Sequence, residues 1–99
     1  MQEHELIYDW NTRAPGFSWA DCRVELNDET LRDGLQSPSV IDPPIEDKKA
    51  LLHLMADLGI AAANIGLPGA GPRTRADTLE LAKEIVNAKL PISANCAAR

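Results

Sequence analysis

Apolar and polar residues alternate along Arg23-Val24-Glu25-Leu26-Asn27, so Val24 and Leu26 fall on one face and predict a strand over about 22–27. Further on the period lengthens. Leu51, Leu54, Met55 and Leu58 recur at helical spacing and predict the buried stripe of a helix. Asp42 is placed to cap that helix, Pro43 and Pro44 suit its first turn, and Glu46 and Asp47 oppose its dipole. Gly59 supplies the left-handed stop. The run 60–65 is rich in alanine, which favours helix. Its place between a helix stop and Gly66 makes it a short buried strand instead. A second helix is expected over 75–87, with Thr74 as cap and Leu79, Ala82, Ile85 and Val86 facing inward. A third strand is expected over 91–96. The order β-α-β-α-β defines an α/β chain with parallel strands and right-handed crossovers.

Between the first strand and the first helix stands a dense polar group, Asp28-Glu29-Thr30-Leu31-Arg32-Asp33-Gly34-Leu35-Gln36. It is followed by Ser37-Pro38 and Asp42-Pro43-Pro44, strong loop punctuation. The carboxyl end of a parallel sheet is where ligands bind in α/β proteins. Two readings stand side by side. Arg-Asp-Gly is an ordinary exposed turn in which Gly34 takes a positive φ. Alternatively, Arg32, Asp33 and Gln36 together hold a small oxyanion and a metal.

Asp28-x-Thr30-Leu31-Arg32-Asp33-Gly34-x-Gln36 resembles the signature of the isopropylmalate synthase, homocitrate synthase and hydroxymethylglutaryl-CoA lyase superfamily, the DRE-TIM metallolyases. Ile65-Gly66-Leu67-Pro68-Gly69-Ala70 resembles the second-strand segment of the same superfamily, and the resemblance covers roughly 22–99. It implies a TIM (β/α)8 barrel, of which this chain holds the amino-terminal portion, about three βα units, behind an extension over 1–21. It also implies a divalent metal (Mg²⁺, Mn²⁺ or Zn²⁺) with Asp33 as carboxylate ligand. Arg32 then holds the keto oxygen or enolate of the substrate, and Gln36 hydrogen-bonds substrate or orients the loop. In the synthase branch acetyl-CoA condenses with an α-keto acid; in the lyase branch a hydroxyacyl-CoA is cleaved. Leu67-Pro68-Gly69-Ala70 is closer to the synthase form. The expected parent is therefore an acyltransferase like the 2-isopropylmalate synthase of leucine biosynthesis, cytoplasmic and homodimeric.

The chain also departs from that pattern. Asn64 stands where the superfamily has a glutamate at the end of the second strand. Asparagine orients substrate or a neighbour by hydrogen bonding but cannot carry a proton. The linker between Gln36 and Lys48 is one residue longer than usual, at the doubled proline. The His-x-His pair that completes the metal site is missing, since His4 and His53 are the only two histidines. One carboxylate is no catalytic metal centre. The chain alone is expected to be inactive.

Size fits a partial barrel: 99 residues stand against the ~250 of a closed one. Hydrophobic residues make up 44% of the chain, a globular composition. The net charge is −5, with scattered Lys and Arg, which argues against nucleic acid and anionic membrane as partners. No apolar run reaches transmembrane length and the amino terminus is acidic. Cys22 and Cys96 fall at opposite ends of the expected sheet, too far apart to bridge, and fit a reducing cytosol. All four aromatic residues (Tyr8, Trp10, Phe17, Trp19) lie in the first 21 positions, as cover for the barrel bottom or as a subunit-interface arm. His53 falls off the helix stripe and reads as a solvated side chain.

Two other readings compete. Gly66, Gly69 and Gly71 lie between a strand and a helix, the setting of a non-catalytic βαβ phosphate-binding module. Their order is G-x-x-G-x-G rather than G-x-G-x-x-G, and Pro68 and Pro72 remove backbone donors. The other reading is a chain that serves only as an assembling partner. Three parallel strands leave the first and third with open edges, which pair or aggregate. Expressed alone, the chain is expected to self-associate in light scattering. A monodisperse monomer with a cooperative melt would count against the partial barrel.

Overall fold

The computed structural model describes residues 2–8, 10, 20 and 22–98. Phe17, Trp19 and Arg99 lie outside the described residues. Of the amino-terminal aromatics, Tyr8 and Trp10 meet edge to face with ring centroids 4.4 Å apart, and both are exposed. They follow a single helical turn, α1 (Glu3–Leu6).

Three parallel strands, β1 (Asn27–Asp28), β2 (Ala62–Asn64) and β3 (Ser93–Asn95), form one sheet in the order β1-β2-β3. Asn27 pairs with Ala62 and Ala62 with Ser93, and Asn64 lies beside Asn95. Helix α2 (Ile45–Leu58) connects β1 to β2, and α3 (Pro72–Asn87) connects β2 to β3. Both helices share one core with the sheet, built from Leu31, Leu52, Met55, Ile60, Ala63, Ile65, Leu81, Ile85 and Ile92. They therefore lie on the same face. Among the described residues no helix is long and apolar enough to cross a membrane.

The elements are shorter than the sequence pattern predicts, and the buried faces are turned. Residues 22–26 form no ladder, and Val24 and Leu26 are exposed. The reason is pairing. Ladder partners on β2 start at Ala62, and upstream only the Leu26 carbonyl is used, by the N–H groups of Ala61 and Ala62. On α2 the buried residues are Lys48, Leu52 and Met55, while Leu54 and Leu58 of the expected stripe are 63% and 78% exposed. On α3 they are Thr78, Leu81 and Ile85, with Leu79 and Val86 exposed. The two helices each carry a wide apolar band, and the chain packs only the side of it that faces the other helix and the sheet.

The caps differ too. Asp42 does not cap α2; Pro44 holds that position and α3 begins behind Gly71 rather than Thr74. Gly59 does end α2 at φ 88°, giving its N–H to Ala56 while Ile60 gives its own to Met55. Gly34, in contrast, sits in a 3-10 turn (Gly34–Gln36) and is not among the positive-φ glycines. The close approach that demands glycine is at Gly66 (φ 156°), where a Cβ would lie 2.3 Å from the Thr78 hydroxyl oxygen. That contact seats the β2–α3 loop directly on α3.

Leu52 and Leu81 are 0% and 1% exposed, so truncation of either to alanine should lower stability by about 2–5 kcal/mol. Leu58→Ala and Val86→Ala should stay within about 0.5 kcal/mol of the parent. Urea unfolding of the four variants checks which face of each helix is the core.

Candidate functional site

The polar stretch after β1 is held as a tight turn by its own backbone. Asp28 Oδ1 accepts the Thr30 N–H at 2.8 Å, and the Glu29 carbonyl accepts the N–H groups of Arg32 and Gly34 at 3.2 and 3.1 Å. Gln36 N–H returns to the Asp33 carbonyl at 3.1 Å. Leu31 is buried in the core and pins the turn at the carboxyl rim of the sheet. Its neighbour Arg32 is thereby fixed at that rim, half-buried.

Arg32 is the hub of what gathers there. Its Nε and Nη2 both donate to Glu29 Oε2, at 3.2 and 3.1 Å. Nη1 donates to Gln36 Oε1 at 3.3 Å and lies 3.6 Å from Asp33 Oδ1. One guanidinium faces two carboxylates and Asp28 adds a third in the same turn, so negative charge is in excess at the rim. Arg32, Asp33 and Gln36 thus meet, as their spacing suggests. Asn64 does not join them. It is buried at the end of β2, where its Oδ1 accepts the Gly66 N–H at 3.3 Å.

Arg32 and Gln36 also line a cavity of about 120 Å³ that reaches between the motif turn and the two helices. Asp33 is not in its wall and its side chain is 71% exposed. The floor holds a residue that sequence reasoning passed over. Lys48 is 5% exposed, and its ammonium sits 2.8 Å from both Asp42 Oδ1 and Asp77 Oδ2. Arg73 closes the cluster with its Nε 3.1 Å from Asp42 Oδ2, and Nη2 donates to the Pro43 carbonyl. This explains why Asp42 is absent from the helix cap. Lys48 lies four residues before Leu52 and seven before Met55, so helical periodicity puts a cation on the buried stripe. That misplaced charge was the available signal. Similarly His53 is not merely solvated; its Nε2 is 2.8 Å from Glu84 Oε1 and links α2 to α3.

Burial by itself lowers the pKa of the Lys48 ammonium, but the hydrogen bonds and charges of Asp42 and Asp77 outweigh it and raise the pKa above its usual 10.5. The cavity therefore keeps a permanent, fully countered charge near neutral pH.

A divalent metal fits only in part. Asp33 offers an exposed hard oxygen donor of the right kind. Among the described residues no group of three His, Cys, Asp or Glu side chains is arranged to hold an ion. In the loop 66–71 the N–H groups of Gly66 and Ala70 go to Asn64 Oδ1 and the Leu67 carbonyl, and Pro68 has none. Comparison of the chain with family models, curated proteins and solved structures finds no match. The fold and site on their own define a three-stranded parallel α/β unit with a charged carboxyl rim.

Lys48→Met should cost about 2 kcal/mol, the scale of one charge-assisted hydrogen bond. The folded pKa is the higher one, so this increment is fully present below pH 10.5 and lost as pH rises through the folded value. Urea midpoints of parent and variant should converge in strong alkali; a gap that stays constant with pH would contradict the charge pairing.

Proposed function

We propose that the chain is the amino-terminal part of a metal-dependent acyltransferase that condenses acetyl-CoA with an α-keto acid, similar to 2-isopropylmalate synthase. One observation carries this reading: Arg32 is fixed at the carboxyl rim of a parallel sheet with Gln36 and Asp33 beside it, at 3.3 and 3.6 Å. Five N–H groups belong to a guanidinium, and those not given to Glu29 and Gln36 remain for a substrate oxygen. In such a condensation the methyl carbon of acetyl-CoA, once deprotonated, attacks the keto carbon. The keto oxygen becomes an alkoxide, and hydrolysis of the thioester then releases CoA. A cationic donor already in place at that oxygen lowers the barrier because the charge it meets grows during the step.

Asp33 would supply one ligand to the metal, whose charge would also offset the surplus negative charge of the rim. The remaining ligands and the base that deprotonates acetyl-CoA belong to other parts of the parent. Three features support a partial (β/α)8 barrel. The strands follow chain order, the helices share one face, and Leu54, Leu58, Leu79 and Val86 lie exposed on the sides of α2 and α3. In the proposed parent these sides pack against neighbouring βα units. Two such parents form a homodimer, in a reducing cytoplasm that suits exposed Cys22 and Cys96.

The test has two arms. In the complete reading frame containing this chain, CoA release from acetyl-CoA and 2-oxoisovalerate should fall by about 10²-fold or more in Arg32→Ala, as for loss of an oxyanion donor. A comparable fall is expected in Asp33→Ala; near-normal turnover in that variant removes the proposal. The 99-residue chain alone should release no CoA.

A further inference from the structure

Arg32 does not hold its orientation alone. Glu29 Oε2 receives two of its nitrogens, and Glu29 Oε1 receives the Asn27 side-chain amide N–H at 2.8 Å. The Asn27 carbonyl oxygen in turn accepts from Asn95 Nδ2 at 3.0 Å. The direction of this series is forced. An ionised carboxylate only accepts, so Asn27 must present its NH₂ to Glu29. That leaves Asn27 its oxygen for the next partner, and Asn95 must donate. Every donor in the series points toward Glu29.

The register explains how the series can cross the sheet. Asn27, Ala62 and Ser93 share one face, and Asn64 and Asn95 lie two residues further along the same face of their strands. Asn27 is on β1 and Asn95 on β3, two strand spacings sideways and two residues along, or about 12 Å apart. Their side chains meet across β2, between the positions of Ala62 and Asn64, which face the same side.

From this geometry we infer that Glu29 and Asn95 are positioning residues, which fix the plane of the Arg32 guanidinium and tie it to the third strand. This rests on the reading of Arg32 as the group that holds a substrate oxygen. Glu29 occupies the Nε–Nη2 edge and Gln36 takes one proton of Nη1. One proton on Nη2 and one on Nη1, the latter nitrogen 3.6 Å from Asp33 Oδ1, have no hydrogen-bond acceptor among the described residues, which suits two acceptor oxygens side by side. The carbonyl and carboxylate oxygens of an α-keto acid have that arrangement.

The test is the rate at which phenylglyoxal modifies each arginine in the full chain, read peptide by peptide by mass spectrometry. Arg73 is the internal reference, since it pairs with Asp42 and belongs to no part of the series. Glu29→Ala should raise the Arg32-to-Arg73 labelling ratio about fivefold, the factor one net hydrogen bond represents. Asn95→Asp keeps the shape of residue 95 but removes its donor, and should raise the ratio about twofold. Added negative charge by itself slows this reagent, so a rise reports the lost donor. An unchanged ratio in both Asn95→Asp and Asn95→Ala overturns the inference. So does an equal rise at Arg32 and Arg73, which would mean general loosening. Adding 2-oxoisovalerate separates the two ideas. Failure to protect Arg32 in the parent chain, with the ratio still rising in the variants, refutes the keto-acid reading and leaves the positioning intact. Protection with no change in the variants refutes the positioning alone.

Discussion

The burial of Leu31 is the constraint on which the rim depends. With 4% of its surface exposed, it anchors the turn after β1 in the same core as Leu52, Leu81 and Ile65. A turn tethered at that point cannot swing, and the residue next to the tether is Arg32. Burying a leucine side chain contributes on the order of 2 kcal/mol, more than a surface ion pair supplies. Position is thus set by packing, and orientation by the hydrogen bonds that Glu29 and Gln36 add at the rim.

A second, separate set of charges holds the scaffold behind it. Lys48, Asp42, Asp77 and Arg73 balance two cations against two carboxylates, and bind the loop before α2 to both helices. A lysine removed from water is costly unless it is paired and hydrogen-bonded. Here two carboxylates do both, so the cavity wall shared with Arg32 stays fixed as well as charged. The two clusters differ in balance. The one under the helices is neutral, whereas at the rim the single guanidinium of Arg32 faces the carboxylates of both Glu29 and Asp33.

Much of the scaffold was legible in the sequence because it depends on local rules. Gly59 marks the end of α2 through its left-handed φ, and the shift from a two-residue to a helical period separates strand from helix. The gathering of Arg32, Asp33 and Gln36 follows from their spacing in one turn. What escaped depends on partners distant in sequence. Leu54 and Leu58 look as buried as Leu52 on a helical wheel, and only the placement of α3 decides among them. Helical spacing puts Lys48 on the buried stripe, but its partner Asp77 lies 29 residues away and nothing local to Lys48 announces it. Asn95 reaches Asn27 across 68 residues of sequence, and nothing local to either residue announces it. Asn64 is placed with the site by the resemblance, where the superfamily has a glutamate, and its local bond from Oδ1 to the Gly66 N–H is not announced by the sequence.

The claim that ties these parts together is that the outward end of Arg32 grips the keto oxygen of an α-keto acid. The most direct measurement is a calorimetric comparison of 2-oxoisovalerate with isovalerate, which has the same carbon skeleton and carboxylate but no keto oxygen. The keto acid should bind the parent chain about tenfold tighter, as expected for a charge-assisted hydrogen bond, and the preference should vanish in Arg32→Ala. Equal affinity for both acids in the parent chain would contradict the account.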